Sequence, residues 1–271
     1  MSQLASAGES ASVDRNAVPR PNFREINRTF FDHAEAKRRW NVKTTIPWDK
    51  VSDRAVDDQL VTILEAFYAT EMYLPDYTKE LLELNRDDHG LCWFLTNWCY
   101  EESKHSMAIE DWMLRSNSRA KTQMDDFNEA LLSNRWTKPF ETSRQMLIYT
   151  VFQELATQVN YLNLSKLTAA AGDPALQKIL LLIASDEGNH HRLFVDFVLE
   201  HIAIDREGTL KDVAHVLKNF SMPAHDQIPG WEARGKAIES SGIYTGKQFV
   251  KRVMLPGLQR LGINRRELPR A

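Results

Sequence analysis

Hydrophobic positions recur at helical spacing through most of the chain, and they predict an all-α protein. Phe23, Ile26, Phe30, Phe31 and Ala34 mark a first helix from Phe23 to Trp40, basic at its far end through Lys37, Arg38 and Arg39, with Lys43 beyond. A long pattern from Val51 to Leu84 runs through Leu60, Ile63, Leu64, Phe67 and Tyr68. Pro75 interrupts it, and a proline that removes a backbone donor and clashes with the preceding turn predicts a kink or break there. A third helix, from about Gly90 to Arg115, is rich in aromatics, including Trp93, Trp98 and Trp112, which suit either a core or an interface. A shorter polar helix follows at Thr122–Leu132. The next, about Glu141 to Ala171, carries the stripe Met146, Leu147, Val151, Leu155, Val159 and Leu162. Gly172-Asp173-Pro174 reads as a stop and restart, Asp173 capping and Pro174 opening a helix that runs to about Ala203. A helix near Leu210–Phe220, the linker Ser221–His225 and two shorter helices complete the chain. No strand-like alternation persists. Residues 1–20 are rich in Ser, Ala and Arg and lack periodicity, which predicts a disordered tail. Residues 21–271 show no internal boundary and read as one domain.

Composition narrows the classes. A chain of 271 residues that is 43% hydrophobic is long enough for a substantial core. A net charge of −3 gives no global nucleic-acid footprint. No apolar run approaches a membrane span, and no apolar leader opens the sequence. The two cysteines, Cys92 and Cys99, lie seven apart on one helix face and read as buried free thiols in a reducing cytoplasm.

The candidate chemistry lies in a motif that occurs twice, as Glu102-Ser103-Lys104-His105 and Glu187-Gly188-Asn189-His190. Residues three apart on a helix share a face, so each pair aims a carboxylate and an imidazole at one point. Two such pairs, with one carboxylate from each of two further helices, build a dinuclear metal site inside a four-helix bundle. Glu71 and Glu154 supply the further carboxylates. Each sits alone in an apolar stripe, where an ionised group is rarely found without a partner or metal. Glu71 precedes Glu102 by 31 residues and Glu154 precedes Glu187 by 33, which for a helical hairpin sets the two at similar height. The predicted ligand set is therefore Glu71, Glu102, His105, Glu154, Glu187 and His190. Its four carboxylates offset the charge of two divalent ions, and its imidazoles suit iron. Removing Glu102 is expected to empty one of the two positions. His191 points about 100° away from His190 and reads as a surface or supporting residue.

At these residues the chain resembles the soluble acyl-[acyl-carrier-protein] desaturases, a branch of the ferritin-like di-iron proteins. The resemblance covers about residues 23–260. It is carried by Thr70-Glu71-Met72-Tyr73-Leu74-Pro75-Asp76-Tyr77, Phe152-Gln153-Glu154-Leu155-Ala156-Thr157, Ala184-Ser185-Asp186-Glu187 with His190, Ser221–His225 and Gly242–Thr245. It implies a ferritin-like four-helix core with flanking helices and two iron ions, with manganese an option at one position. The implied reaction is the O2-dependent removal of two vicinal hydrogens from an acyl chain on acyl carrier protein, with electrons from a ferredoxin. The family is typically homodimeric. By the same resemblance Thr157 matches a threonine that assists oxygen activation; the competing reading is a helix hydroxyl bonded to its preceding turn. Asp186 matches a carboxylate that orients a histidine ligand, here His105, and Trp40 the outer member of that path. Leu155 and Gln158, beside Thr157, are expected to alter the crevice. Acyl carrier proteins and ferredoxins are acidic, so Lys37, Arg38, Arg39 and Lys43, with Lys251 and Arg252, are the expected docking cations. The same scaffold also fits an oxygenase acting on a carrier-bound substrate, or an iron-binding protein without turnover.

Overall fold

Capping residues fix where the principal helices begin. In the computed structural model, which describes residues 21–52, 56–169 and 172–269, the Asp57 carboxylate accepts from the Gln59 amide at the start of α2 (Asp58–Met72). Asp88 does the same for α4 (His89–Arg115), Thr142 for α6 (Ser143–Thr168) and Asp173 for α7 (Pro174–Ile204). Each cap is worth about 1 kcal/mol and satisfies a donor that the helix cannot. Asp173 is buried, and its second oxygen accepts from Trp112 Nε1 and from the Ser52 amide, both at 2.9 Å, which ties the α6–α7 turn to α4.

The break at Pro75 is present. α2 stops at Met72, Tyr73 takes φ −80° and ψ 6°, and α3 (Leu74–Leu84) restarts with Pro75 in its first turn, where no amide is needed. The helix expected from Val51 begins only at Asp58. α1 (Phe23–His33) ends in a π-helical turn, Ala34–Arg38, so Trp40 lies beyond the helix rather than on it. α5 is Lys121–Leu132, α8 is Arg206–Lys218 and α9 is Trp231–Ser241. The expected tail, residues 1–20, lies outside the described residues.

α2, α4, α6 and α7 form the bundle, with α6 and α7 packed along their length as an antiparallel hairpin. Both are buried over most of their circumference, as expected of central helices. Trp98 and Trp112 are in the core, whereas Trp93 is 72% exposed, so the aromatic face of α4 divides between core and surface. Both cysteines are free and half-buried. Among the described residues no helix is long and apolar enough to cross a membrane.

One seam of the bundle is not closed by side chains. A cavity of about 310 Å³ lies between Ala66, Phe67 and Thr70 of α2 and Thr157 and Asn160 of α6. α9 roofs it with Trp231, Gly235 and Ile238, although no residue of α9 is itself buried. Arg234 holds this roof to Glu65 of α2 at 3.0 Å, and His225 stacks on Trp231 with ring centroids 4.2 Å apart. Burial lowers the His225 pKa from 6.5 to about 4. The unfolded chain therefore takes up a proton there near pH 6.5 while the folded protein does not until about pH 4. Stability should fall as the pH drops through this window, by roughly 3 kcal/mol at most from this group. His225→Phe keeps the ring and removes the proton site. Urea titrations from pH 7 to pH 4 should show a shallower acid decline in the variant; equal slopes would discount His225.

Candidate metal centre

The four bundle helices bring the six predicted ligand residues to one buried point. Glu71, Glu102, His105 and Glu187 form one group, and Glu102, Glu154, Glu187 and His190 a second, with candidate donor atoms within 4.8 Å of one another in each. Glu102 and Glu187 belong to both groups, so either could serve both positions when metal is bound. Glu71 and His105 flank one side, Glu154 and His190 the other. His105 Nδ1 lies 3.3 Å from Glu102 and 3.4 Å from Glu187, and His190 Nδ1 lies 2.7 Å from Glu102 and 3.5 Å from Glu154. The α6–α7 hairpin sets Glu154 opposite Glu187, as the spacing predicts. Glu71 and Glu102 reach the same height differently: Glu71 is at the last turn of α2, and α3 intervenes before α4.

The outer faces of these side chains are held by protein groups. His105 Nε2 faces Asp186 at 3.4 Å, and Trp40 Nε1 donates to the same carboxylate at 2.7 Å. His190 Nε2 faces Glu101 at 2.9 Å. The pairing is crossed: the acid beside the ligand glutamate of α4 holds the histidine of α7, and the reverse. Arg38, its side chain 6% exposed, bridges the two acids, 2.8 Å from Glu101 and 3.2 Å from Asp186. Tyr161 donates to Glu71 at 2.7 Å and Trp98 to Glu154 at 3.2 Å. Such contacts fix the tautomer and direction of a ligand. Glu101, Arg38, Tyr161 and Trp98 are the residues that sequence reasoning missed. The signal for Glu101 was available, because Glu101-Glu102 and Asp186-Glu187 are matching acidic doublets ahead of each histidine.

The inner atoms have no such partners. Glu102 Oε1, His105 Nδ1, Glu154 Oε2, Glu187 Oε2 and His190 Nδ1 are buried without a well-aligned hydrogen bond, although Glu102 Oε1 and His190 Nδ1 lie 2.7 Å apart. An orphaned buried polar atom costs about 1–3 kcal/mol, and five aimed at one point are the mark of a cation site. The donor set of four carboxylates and two imidazoles fits two divalent transition metals. Burial pushes the Glu71 and Glu187 carboxyls up. Burial opposes charge at Glu102 as well, but the two imidazoles outweigh it and hold that carboxyl down. The carboxylates in turn hold His105 and His190 well above the ordinary imidazole range despite burial.

Other expectations need correction. His191 is fully buried, not at the surface. Its Nδ1 donates to the Val151 carbonyl at 2.8 Å, and burial lowers its pKa to about 4. Arg38 is enclosed by its two acids and is no docking residue. Arg39 pairs with Glu35 and Asn97, Lys43 with Asp111 and Arg252 with Asn163, so much of the expected docking charge is already partnered. Leu155 and Gln158 line neither the seam cavity nor its inner extension. The Thr157 hydroxyl borders both and donates to the Gln153 carbonyl at 3.0 Å, the preceding-turn bond, while Gln153 Nε2 donates to it at 3.1 Å.

A four-helix bundle that converges two glutamates and two Glu-x-x-His pairs on one buried point defines a ferritin-like protein whose donor set suits a pair of metal ions. The fatty acid desaturase family model matches residues 33–268, and the chain belongs to that family. DesA1 of Mycobacterium tuberculosis, a protein named for acyl-[acyl-carrier-protein] desaturation, is 23% identical over 258 residues, spanning 87% of this chain and 75% of that protein. The chloroplastic stearoyl-[acyl-carrier-protein] 9-desaturase of Olea europaea is 28% identical over 210 residues, spanning 72% of this chain and 54% of the plant protein. The chain thus covers about half the length of the plant relatives it matches. Among solved structures, DesA2 of Mycobacterium tuberculosis superposes with a TM-score of 0.62 at 17% identity, covering 89% of this chain and 97% of that one. An R2-like ligand-binding oxidase with a Mn/Fe cofactor superposes at 0.53 and 12% identity, covering 93% and 96%. These two structures establish likeness of fold.

Proposed function

We propose that this chain is a di-iron acyl-[acyl-carrier-protein] desaturase that removes two vicinal hydrogens from a carrier-bound fatty acyl chain. The observation that carries the reading is the cavity in the α2–α6 seam. It meets the candidate metal centre at Glu71 and Thr157 and continues past it as a cleft of about 40 Å³ bordered by Glu102 and Glu187. Along α6 this cleft runs from Thr157 to Met146, and eleven residues of helix span about 16 Å. The cleft is narrow over that length, a shape that suits one extended alkyl chain. A substrate with no polar handle near its reacting carbons must be oriented by shape, which such a cleft supplies.

Bound at these six residues, two iron ions would supply the reductive activation of O2 and the oxidising power for C–H cleavage. The protein groups do the rest. Glu102 and Glu187 hold the two positions at a fixed separation. Tyr161 and Trp98 keep Glu71 and Glu154 turned inward. The apolar lining excludes water from the reacting carbons. Thr157 presents a hydroxyl at the junction of cavity and cleft, where it can hold a proton. Exposed Trp93, Tyr100 and Met107, at seven-residue intervals on the outer face of α4, support a homodimer contact.

The test is the intact mass of the acyl group after iron-loaded, reduced protein is incubated with a panel of acyl carrier proteins, ferredoxin and O2. Loss of two hydrogens is expected. Gain of one oxygen would instead make the chain a hydroxylase on the same scaffold. No mass change with iron bound and O2 consumed would overturn the acyl-chain reading.

A further inference from the structure

The seam cavity and its inner cleft differ in chemistry. In the cleft the polar side chains are already bonded within the protein. The Tyr77 hydroxyl donates to the Thr70 carbonyl at 3.0 Å, Tyr149 to the Ser221 carbonyl at 3.1 Å and Thr150 to the Met146 carbonyl at 2.9 Å. Gln153 donates to Thr157, and Trp98 to Glu154. The seam cavity contains a buried polar group that is not bonded. Asn160 of α6 is 6% exposed and lines the cavity, and its Oδ1 has no hydrogen-bond partner among the described residues. The hydroxyls of Thr70 and Thr157, on the same wall, are bonded to the Ala66 and Gln153 carbonyls and do not serve it. A buried carboxamide without a partner destabilises the fold, and on a cavity wall it calls for a ligand that supplies one.

Its position says which part of a ligand. Asn160 follows Thr157 by three residues, a rise of about 4.5 Å along the helix. Thr157 stands where the cavity meets the candidate metal centre. A group bound at Asn160 is therefore about four carbon–carbon bonds, each of about 1.5 Å, from carbons held at that junction. The cavity reaches the surface beside Glu239 and Gly246, both exposed, whereas the cleft is bordered by Leu81, Trp136 and Met146, all buried. The carrier arm belongs at the exposed rim, so the group at Asn160 belongs to the acyl chain itself. An apolar cleft holds an alkyl chain by shape, and shape alone lets the chain slide. One hydrogen bond on the carrier side of the metals fixes which carbons face them.

We propose that the substrate is a hydroxylated acyl chain, and that Asn160 binds its hydroxyl and sets the register of the chain. The inference rests on the desaturase reading and narrows its substrate class. A hydroxyl both donates and accepts, so it pairs with the carboxamide whichever way the amide is turned. A site that hydrogen-bonds a hydroxyl rejects the chain lacking it, because the amide is then left unpaired.

The experiment titrates iron-loaded wild type and Asn160→Leu, without O2, with acyl carrier protein bearing a saturated chain or the same chain hydroxylated at successive carbons. One hydroxyl position should bind wild type about tenfold or more tighter than the plain chain. Asn160→Leu should lose that preference and bind the plain chain at least as tightly as wild type does. The assignment is overturned if wild type favours no hydroxyl position, if the preference survives in Asn160→Leu, or if the plain and hydroxylated chains weaken equally, which would place the carrier arm at Asn160. Asn160→Ser keeps a polar group and should retain part of the preference should the leucine variant fold poorly. Reduction and admission of O2 then test the register. The double bond should keep a fixed distance from the hydroxyl as the hydroxyl is moved; a fixed distance from the carrier would overturn the anchor. If no chain yields an alkene, the desaturase reading fails while the binding ratios still decide Asn160.

Discussion

Glu102→Ala is expected to cost the protein both metal positions, not one. The spacing of the motif assigns Glu102 to one half-site with His105. In the folded protein its two oxygens face different histidines, His105 at 3.3 Å and His190 at 2.7 Å, and it belongs to both donor groups. Alanine therefore leaves each position short of a carboxylate and removes the bridge between them. Bound iron per chain should fall below half of the wild-type value, with affinity weakened by at least about 100-fold, beyond what losing an outer partner costs. Glu71→Ala is the control, since Glu71 belongs to one group only and should empty one position. Iron titration of the two variants side by side checks this, and full occupancy in Glu102→Ala would sink the proposed ligand set.

The second large effect is expected at Arg38. Its guanidinium is the cation that compensates two buried acids, Glu101 and Asp186. Breaking a buried ion pair from one side leaves an uncompensated charge and costs about 3–5 kcal/mol. Arg38→Met should lower the stability of the metal-free protein by about that amount, or roughly 10 °C in Tm for a chain of this size. The neighbouring Lys37→Met, on an exposed side chain, should stay within about 0.5 kcal/mol. Urea unfolding of both variants separates a structural clamp from a docking residue. A Tm for Arg38→Met within a degree of wild type would return Arg38 to the surface role that its basic surroundings in the sequence suggest.

Much of the architecture is legible in the sequence because its signals are local. The break at Pro75, the Asp173 cap and the Glu-x-x-His faces follow from rules that act within a turn or two of helix. What was not legible depends on which helix faces which. Nothing within Arg38-Arg39-Trp40 separates the arginine that is enclosed from its neighbour, because the acids that enclose it lie 63 and 148 residues away. That Glu102 and Glu187 belong to both donor groups depends on the rotation of α4 and α7 about their axes. Tyr161 and Trp98 look like any aromatic in a core stripe until Glu71 and Glu154 are seen beside them. Of the two readings of His191 the surface one fails for a related reason: 100° from the metal side points to solvent on a peripheral helix, but to another layer of core on α7.

The crossed pairing of acids and histidines makes the two halves of the centre mutually dependent. Neither α4 nor α7 carries a complete half-site. The imidazole of each is aimed by a carboxylate borrowed from the other, and Arg38 locks both loans at once. Shifting one helix by a turn would misdirect both histidines together, so the geometry is inherited as a unit. Occupancy should follow the same logic: a first ion that draws α4 and α7 into register prepares the second position, and partly filled molecules should be scarce when iron is limiting.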